Sequence, residues 1–93
     1  MNTQIQPAER DLDLTALGAA SGYRVDDPNG RVGTVEAVVA GAWSEWPDAL
    51  EVRVGMFRPA ILVVGVEDVA GVDTDRRRVL LRACVDLANA YVP

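Results

Sequence analysis

The sequence predicts a small, mainly β domain, on three observations. Asp27-Pro28-Asn29-Gly30 is a turn sequence between two β-forming segments, residues 22–26 and 31–40, which is typical of a hairpin. Residues 50–56 alternate apolar and polar side chains, as a half-buried strand does. Residues 60–66 are apolar at every position, which predicts a strand covered on both faces or one whose outer face meets a partner.

The second hairpin strand is expected to bend at Gly33. Val32 and Val35 are three residues apart, so strict alternation would put them on opposite faces of the strand. A glycine inside a strand pattern often marks a bulge or a bend where a sheet curls toward a barrel. Beyond the bend, the side chains of Val35, Ala37 and Val39 are expected to share one face.

The N-terminal segment divides into an arm and the start of the domain. Residues 1–8 are mostly polar and are expected to form a flexible arm, which leaves residues 9–93 as one domain. Asp13 is a residue type that caps helices and Gly18 is one that ends them, so a single helical turn is expected between them.

The C-terminal third is expected to contain two turns, a strand and a short helix. The turns are assigned to residues 67–72 and 73–76, with Glu67-Asp68 capping the first, and the strand to residues 77–83. The apolar face of that strand would contain Val79, Leu81 and Ala83. Spacings of three and four predict a short amphipathic C-terminal helix, with its apolar face made by Leu81, Cys84, Val85, Ala88, Tyr91 and Val92.

Composition narrows the function classes. The 93 residues carry a formal charge of −5, which argues against a general binder of nucleic-acid backbones. There is no histidine, the commonest general base and metal ligand, and the single Cys84 is expected to be a buried hydrophobe on the helix. We therefore expect no catalytic residue, metal or cofactor. No apolar leader or membrane-length run is present, so a cytoplasmic protein is expected.

The hairpin and the segments that follow it resemble the PRC-barrel family, which includes the cytoplasmic domain of the photosynthetic reaction-centre H subunit and the C-terminal domain of the ribosome-maturation factor RimM. The likeness spans residues 18–83. It is carried by Gly22-Tyr23-Arg24-Val25, Asp27 to Gly30, Val32-Gly33, Val35, Val38, Val66-Glu67-Asp68-Val69, Val72-Asp73 and residues 78–82. The family commonly has proline just before its turn, where this chain has Gly65-Val66.

The resemblance implies a small, strongly bent antiparallel β-barrel that acts as a non-enzymatic binding or assembly module. RimM-like members contact a ribosomal protein, but they carry an additional N-terminal domain for which this sequence has no counterpart. Protein–protein interaction is therefore the first expectation. A role in RNA or ribosome maturation is the second, and a small enzyme subunit or ligand-binding barrel is the third.

Two groups of residues are candidate partner-binding sites. Trp43 and Trp46 lie in a loop beside Pro47, where they would be either lids on the sheet or exposed anchors for a partner. Arginines are grouped near the last predicted turn, either as a solvated surface or as a patch for an anionic partner. They are Arg76, Arg77, Arg78 and Arg82.

The apolar strand predicts self-association. Its consecutive apolar side chains cannot all point into one small core, and a symmetric dimer would cover those that point outward. The residues assigned to this surface are Ile61, Leu62, Val63, Val64 and Leu80. With Val64 on the outer face, Val64→Arg would be expected to give a monomer.

Overall fold

The structure, a computed structural model, describes residues 13–42 and 45–93. The predicted arm, residues 1–8, and Trp43 therefore lie outside the described residues. The elements are one helical turn and six strands: α1 (Leu14–Gly18), β1 (Arg24–Asp27), β2 (Gly30–Ala40), β3 (Pro47–Val54), β4 (Ala60–Gly65), β5 (Val69–Asp73) and β6 (Arg78–Leu81). Two 3-10 turns, Val66–Asp68 and Leu87–Asn89, complete them.

All six strands belong to one sheet, in the order β4-β3-β2-β1-β6-β5. The mainly β prediction is confirmed. The sheet is mixed rather than purely antiparallel, because β1 and β6 are parallel while the other neighbours are antiparallel. This pairing joins strands far apart in the chain, so no local turn sequence could have indicated it.

The sheet curls strongly but is not closed into a barrel. β4 and β5 are its two edges, yet only the three-residue turn Val66–Asp68 connects them. An extended chain spans at most about 3.6 Å per residue, so the end of β4 and the start of β5 must be near each other. The two strands nevertheless do not pair, and β4 instead contacts Tyr91 through an antiparallel bridge at Ile61.

The β1–β2 hairpin has the predicted turn. Asp27 pairs with Gly30, and the amide of Asn29 donates a hydrogen bond of 2.8 Å to Oδ1 of Asp27. Gly30 has φ of +124°, a conformation that glycine adopts more readily than other residues. The turn therefore forms through an Asp side chain that supports the loop and a glycine that reverses it.

The predicted bulge lies beside Gly33. Val25 pairs with Gly33 and Asp26 with Arg31, so Val32 is the extra residue on β2. This shift lets Val32 and Val35 both pack toward the core. Gly33 also has a steric role, because a Cβ there would overlap the carbonyl oxygen of Arg53 on β3.

A second bulge in β2 overturns the expected alternation of Val35, Ala37 and Val39. Val35 pairs with Val52 and Ala37 with Glu51, which leaves Glu36 as the extra residue. Beyond it Val38 packs against the core, whereas Val39 is 38% exposed. The sequence has no glycine here to signal the shift.

The core lies on the concave face of the curled sheet and beneath α1. Its fully buried side chains come from α1 and from five of the six strands: Leu17, Val25, Val35, Leu50, Val52, Val69 and Val79. The predicted helical turn is confirmed, with the side chain of Asp13 accepting hydrogen bonds from the amides of Thr15 at 3.0 Å and Ala16 at 3.1 Å. None of the described helices is long and apolar enough to cross a membrane.

The C-terminal third differs most from expectation. Residues 69–73, assigned to a turn, form β5, and the turn before it has no side-chain cap. Val79 and Leu81 are buried on β6 as expected, but Ala83 lies beyond the strand and is exposed. The predicted amphipathic helix is wrong: residues 82–93 contain only the 3-10 turn Leu87–Asn89, and Cys84 is exposed.

Gly33→Ala tests the close approach of β2 and β3. We expect the free energy of unfolding to fall by about 1–3 kcal/mol, because the new methyl group would force the backbones apart. The measurement is urea denaturation followed by circular dichroism. Gly71→Ala is the matched control, since a Cβ at Gly71 meets no atom within 4 Å; equal unfolding midpoints for the two variants would contradict the account.

Candidate functional site

The outer edge of β4 is only partly covered. The amide of Ile61 donates to the carbonyl of Tyr91 at 2.7 Å, and the amide of Tyr91 donates back to the carbonyl of Ile61 at 2.8 Å. Main-chain groups alternate in direction along a strand, so those of Val63 and Gly65 face the same way as those of Ile61. The main-chain groups of Val63 therefore face away from β3, and none of the residues 13–42 and 45–93 forms a hydrogen bond with them.

The four β4 residues predicted to self-associate divide between two faces of the sheet. Leu62 and Val64 are each 5% exposed and belong to the core. Ile61 is 8% exposed on the opposite face, and Val63, on that same face, is 54% exposed. Val63 is therefore the one of the four that offers a large apolar surface to a partner.

Leu80, the fifth predicted residue, lies elsewhere. It is on β6 and pairs with Asp26 of β1 on one side and Gly71 of β5 on the other. In the sheet order, β3, β2 and β1 separate β6 from β4. Leu81 of β6 and Val63 nevertheless line one cleft, because the sheet curls. Leu80 is not among the residues of that cleft, and its side chain is already half-buried.

The C-terminal segment, residues 82–93, runs from β6 to the β4 edge. The amide of Val85 donates to Oδ2 of Asp27 at 2.9 Å, and Tyr91 forms the bridge to Ile61. A cleft of about 210 Å³ remains between this segment and β4. Its lining includes Val63 together with Leu62, Val64, Leu81, Cys84 and Asn89. The segment thus covers the Ile61 end of the edge and leaves Val63 exposed.

The tip of the β3–β4 hairpin, Gly55–Pro59, is a feature that sequence reasoning missed. Met56, expected to point inward as the last residue of the alternating strand, is 86% exposed, and Phe57 is 93% exposed. The strand ends at Val54, and Gly55 turns the chain with φ of +88°. Phe57-Arg58-Pro59 interrupts the alternating pattern and was a signal for this tip. A turn at these residues would leave their apolar side chains outside the core.

The predicted arginine patch is divided among four separate contacts. Arg76 pairs with Asp73 at 3.1 Å, while the Arg77 guanidinium lies 5.2 Å from the ring centroid of Tyr23. Arg78 pairs with Asp26, as described below. Arg82 Nε donates to the carbonyl of Glu67 at 3.1 Å. The four guanidinium groups therefore contact groups of the chain itself rather than converging on one surface.

Arg24, Asp26 and Arg78 form a charged cluster across the parallel strands. Arg24 and Arg78 are register partners, and the Asp26 side chain accepts from Arg24 Nε at 2.8 Å and Arg78 Nη1 at 3.4 Å. Asp26 is 7% exposed, so its charge needs these partners. Nε of Arg78 is buried and has no hydrogen-bond partner among the described residues.

Asp73 is held in its ionised form by the β5–β6 turn. The Arg76 amide donates to Asp73 Oδ1 at 3.1 Å, and Arg76 Nη1 donates to Oδ2. The backbone hydrogen bond, followed by the side-chain bond, lowers the pKa of Asp73 below its ordinary value of 3.8. Arg77, the last residue of this turn, has φ of +54°.

Trp46 lines a cleft beside α1. The cleft has a volume of about 550 Å³ and is lined in part by Leu14, Val38, Trp46 and Pro47. Trp46 is 55% exposed, so its ring is neither a fully buried lid nor a fully free anchor. Among the described residues, no group of three His, Cys, Asp or Glu side chains is placed to hold a metal ion.

Asp26→Asn tests the charged cluster. We expect the free energy of unfolding to fall by about 1–2 kcal/mol, because two arginines lose their carboxylate while the geometry stays similar. Urea denaturation at neutral pH is the measurement, with Asp75→Asn in the exposed turn as the control. A change no larger than that of the control would show that the cluster contributes nothing.

The lowered pKa of Asp73 predicts a pH dependence. Because the folded-state pKa is below the unfolded value, the carboxylate stabilises the fold at neutral pH, and this contribution is lost as pH falls below about 4. The difference in melting temperature between the wild type and Asp73→Asn should therefore shrink in that range. The Arg76→Ala variant keeps the backbone donor, so the NMR-measured pKa of Asp73 should rise only part of the way to its ordinary value. An unchanged pKa would show that the Arg76 side chain does not contribute to the shift.

No family model matches this chain, and no curated protein matches it. What the structure supports is the mainly β, six-stranded mixed sheet with an exposed β4 edge, while membership of the PRC-barrel family stays a prediction.

Proposed function

We propose that the protein is a non-enzymatic assembly module related to PRC-barrel domains, and that it forms a homodimer by pairing the β4 strands of two copies. The observation that carries the proposal is the exposed edge of β4 at Val63. An edge strand presents donors and acceptors that a second strand can satisfy. A two-fold dimer places the same strand of each copy at the interface, antiparallel to its partner.

The geometry of the edge favours one register. If the two-fold axis passes beside Val64, Val63 pairs with Gly65 of the partner subunit, and Gly65 pairs with Val63 of the partner subunit. Both residues direct their main-chain groups outward, so the two pairs supply up to four hydrogen bonds. The bridge between Ile61 and Tyr91 lies beyond this pairing and can stay in place.

Burial supports the same interface. Val63 is 54% exposed, and Tyr91, which pairs with Ile61 at the same edge, is 48% exposed. A second copy would cover both side chains, and each fully buried Val side chain contributes about 1.5–3 kcal/mol relative to full exposure. The gain from Val63 would be about half of that, because half of its surface is already covered.

The alternative role in RNA or ribosome maturation has less support. The chain has a net charge of −5. The four arginines of the predicted patch contact Asp73, Tyr23, Asp26 and the carbonyl of Glu67. Binding of a nucleic-acid backbone depends on basic groups that are free to contact phosphates.

Val63→Pro tests the dimer. Proline removes the outward amide of Val63, and because that amide does not face β3, the β3–β4 ladder should be preserved. We expect light scattering after size exclusion to give the 10.0 kDa mass of one chain for the variant and twice that mass for the wild type. Val64→Arg is unsuitable, because Val64 is a core residue and the variant would unfold.

Val63→Thr is the matched control. Threonine keeps the amide and the β-branched shape, so the dimer should persist with weaker association. Circular dichroism and urea denaturation should show that both variants are folded. A wild type that stays monomeric at millimolar concentration, or a Val63→Pro variant that dimerises like the wild type, would overturn the proposal.

A further inference from the structure

We infer that the β3–β4 hairpin tip, Gly55–Pro59, docks on membrane surfaces that contain anionic phospholipid, with Met56 and Phe57 inserting into the lipid interface. This surface is separate from the β4 edge and would act whether the protein is a monomer or a dimer. It combines two features: adjacent apolar side chains without a packing partner, and unpaired cationic side chains beside them.

The two apolar side chains are held away from the protein. Met56 is 86% exposed and Phe57 is 93% exposed, and neither packs against the hydrophobic core. Gly55 has φ of +88°, and a Cβ there would lie 2.8 Å from the carbonyl oxygen of Arg58. The turn is therefore tight, and it places the two side chains at the end of the hairpin.

Cationic groups flank the tip. The side chains of Arg31 and Arg58 have no hydrogen bond or ion pair with any described residue. Nε of Arg53, by contrast, lies 3.7 Å from Oε1 of Glu36. Arg31 and Arg53 line a cleft of about 630 Å³ together with Met56, and no acidic residue is among its lining residues. On its other side, Arg53 faces a second cleft with Glu36 and Glu51. Arg31 and Arg58 are therefore the cations near the tip whose side chains have no acidic partner among the described residues.

This chemistry matches a phospholipid surface better than a protein pocket. Guanidinium groups bind phosphate in a two-pronged geometry, and apolar side chains of interfacial proteins enter only the boundary between head groups and acyl chains. A protruding tip can insert into a bilayer without a preformed cavity, whereas a protein partner would need a complementary pocket. The acidic remainder of the molecule is repelled by anionic lipid, which orients the tip toward the membrane.

Vesicle flotation tests the inference, with phosphatidylcholine vesicles compared with vesicles that also contain phosphatidylserine. We expect the wild type to float with the phosphatidylserine vesicles and to be released as salt is raised. Phe57→Ser should weaken binding about tenfold or more, from the loss of one inserted aromatic ring. Arg58→Gln should weaken it about fivefold, which is typical of one arginine near an anionic surface.

Leu87→Ser is the matched control, because Leu87 is 54% exposed on the C-terminal segment, away from the tip. Its binding should equal that of the wild type, and all variants should keep the wild-type unfolding midpoint. Failure of the wild type to bind phosphatidylserine vesicles would overturn the inference. Equal binding by Phe57→Ser and the wild type would also overturn it, because the tip would then not be the contact.

Discussion

The parallel pairing of β1 with β6 is the contact on which the rest of the sheet depends. β1 to β4 form one continuous antiparallel unit, and β5 and β6 form another, so this pairing is the place where the two units join. Val25 and Val79 are register partners at the join, and both side chains are fully buried. On the opposite face, Asp26 accepts hydrogen bonds from arginines of both strands. Apolar burial stabilises the join, and the charged cluster fixes its register.

The exposed edge is a consequence of that join. Once β6 pairs with β1, β5 becomes the far edge, and the turn Val66–Asp68 is too short for β4 and β5 to be remote. The C-terminal segment enters the remaining space and contacts β4 through Tyr91. Its strand pairing is confined to Ile61, so the main-chain groups of Val63 stay unpaired among the described residues. The unpaired part of β4 is thus what remains because the curled sheet does not close.

The features predicted correctly from the sequence are those that neighbouring residues determine. The Asp27-Pro28-Asn29-Gly30 turn, the Asp13 cap and the Gly33 bulge each depend on residues adjacent in the chain, and each is found in the structure. The alternation of Leu50, Val52 and Val54 likewise reports burial directly. These features follow from backbone conformation and strand periodicity, which neighbouring residues determine.

Features that depend on distant residues were missed. The spacing from Leu81 to Val92 fits a helix, yet Leu81 ends a strand and Tyr91 pairs with Ile61 instead. β5 was assigned to a turn because its short sequence contains Gly71, and its strand conformation comes from pairing with β6. The exposed β4 edge was predictable in part. The run of apolar residues indicated that some side chains of this strand point outward, but only its pairing with β3 identifies Val63 as the exposed one. The exposed tip was missed because the predicted alternation was extended two residues beyond the end of β3, to Met56.

The β1–β6 join also bears on how the chain folds. Contacts between residues distant in sequence form slowly, because a long loop must close before they stabilise anything. β2, β3 and β4 follow β1 through short connections, so we expect them to assemble first and β6 to dock last. As the chain leaves the ribosome, the first four strands would emerge with Val25 and Val52 uncovered until the final third is made. During synthesis, this half-built sheet is the species most exposed to aggregation and to chaperone binding.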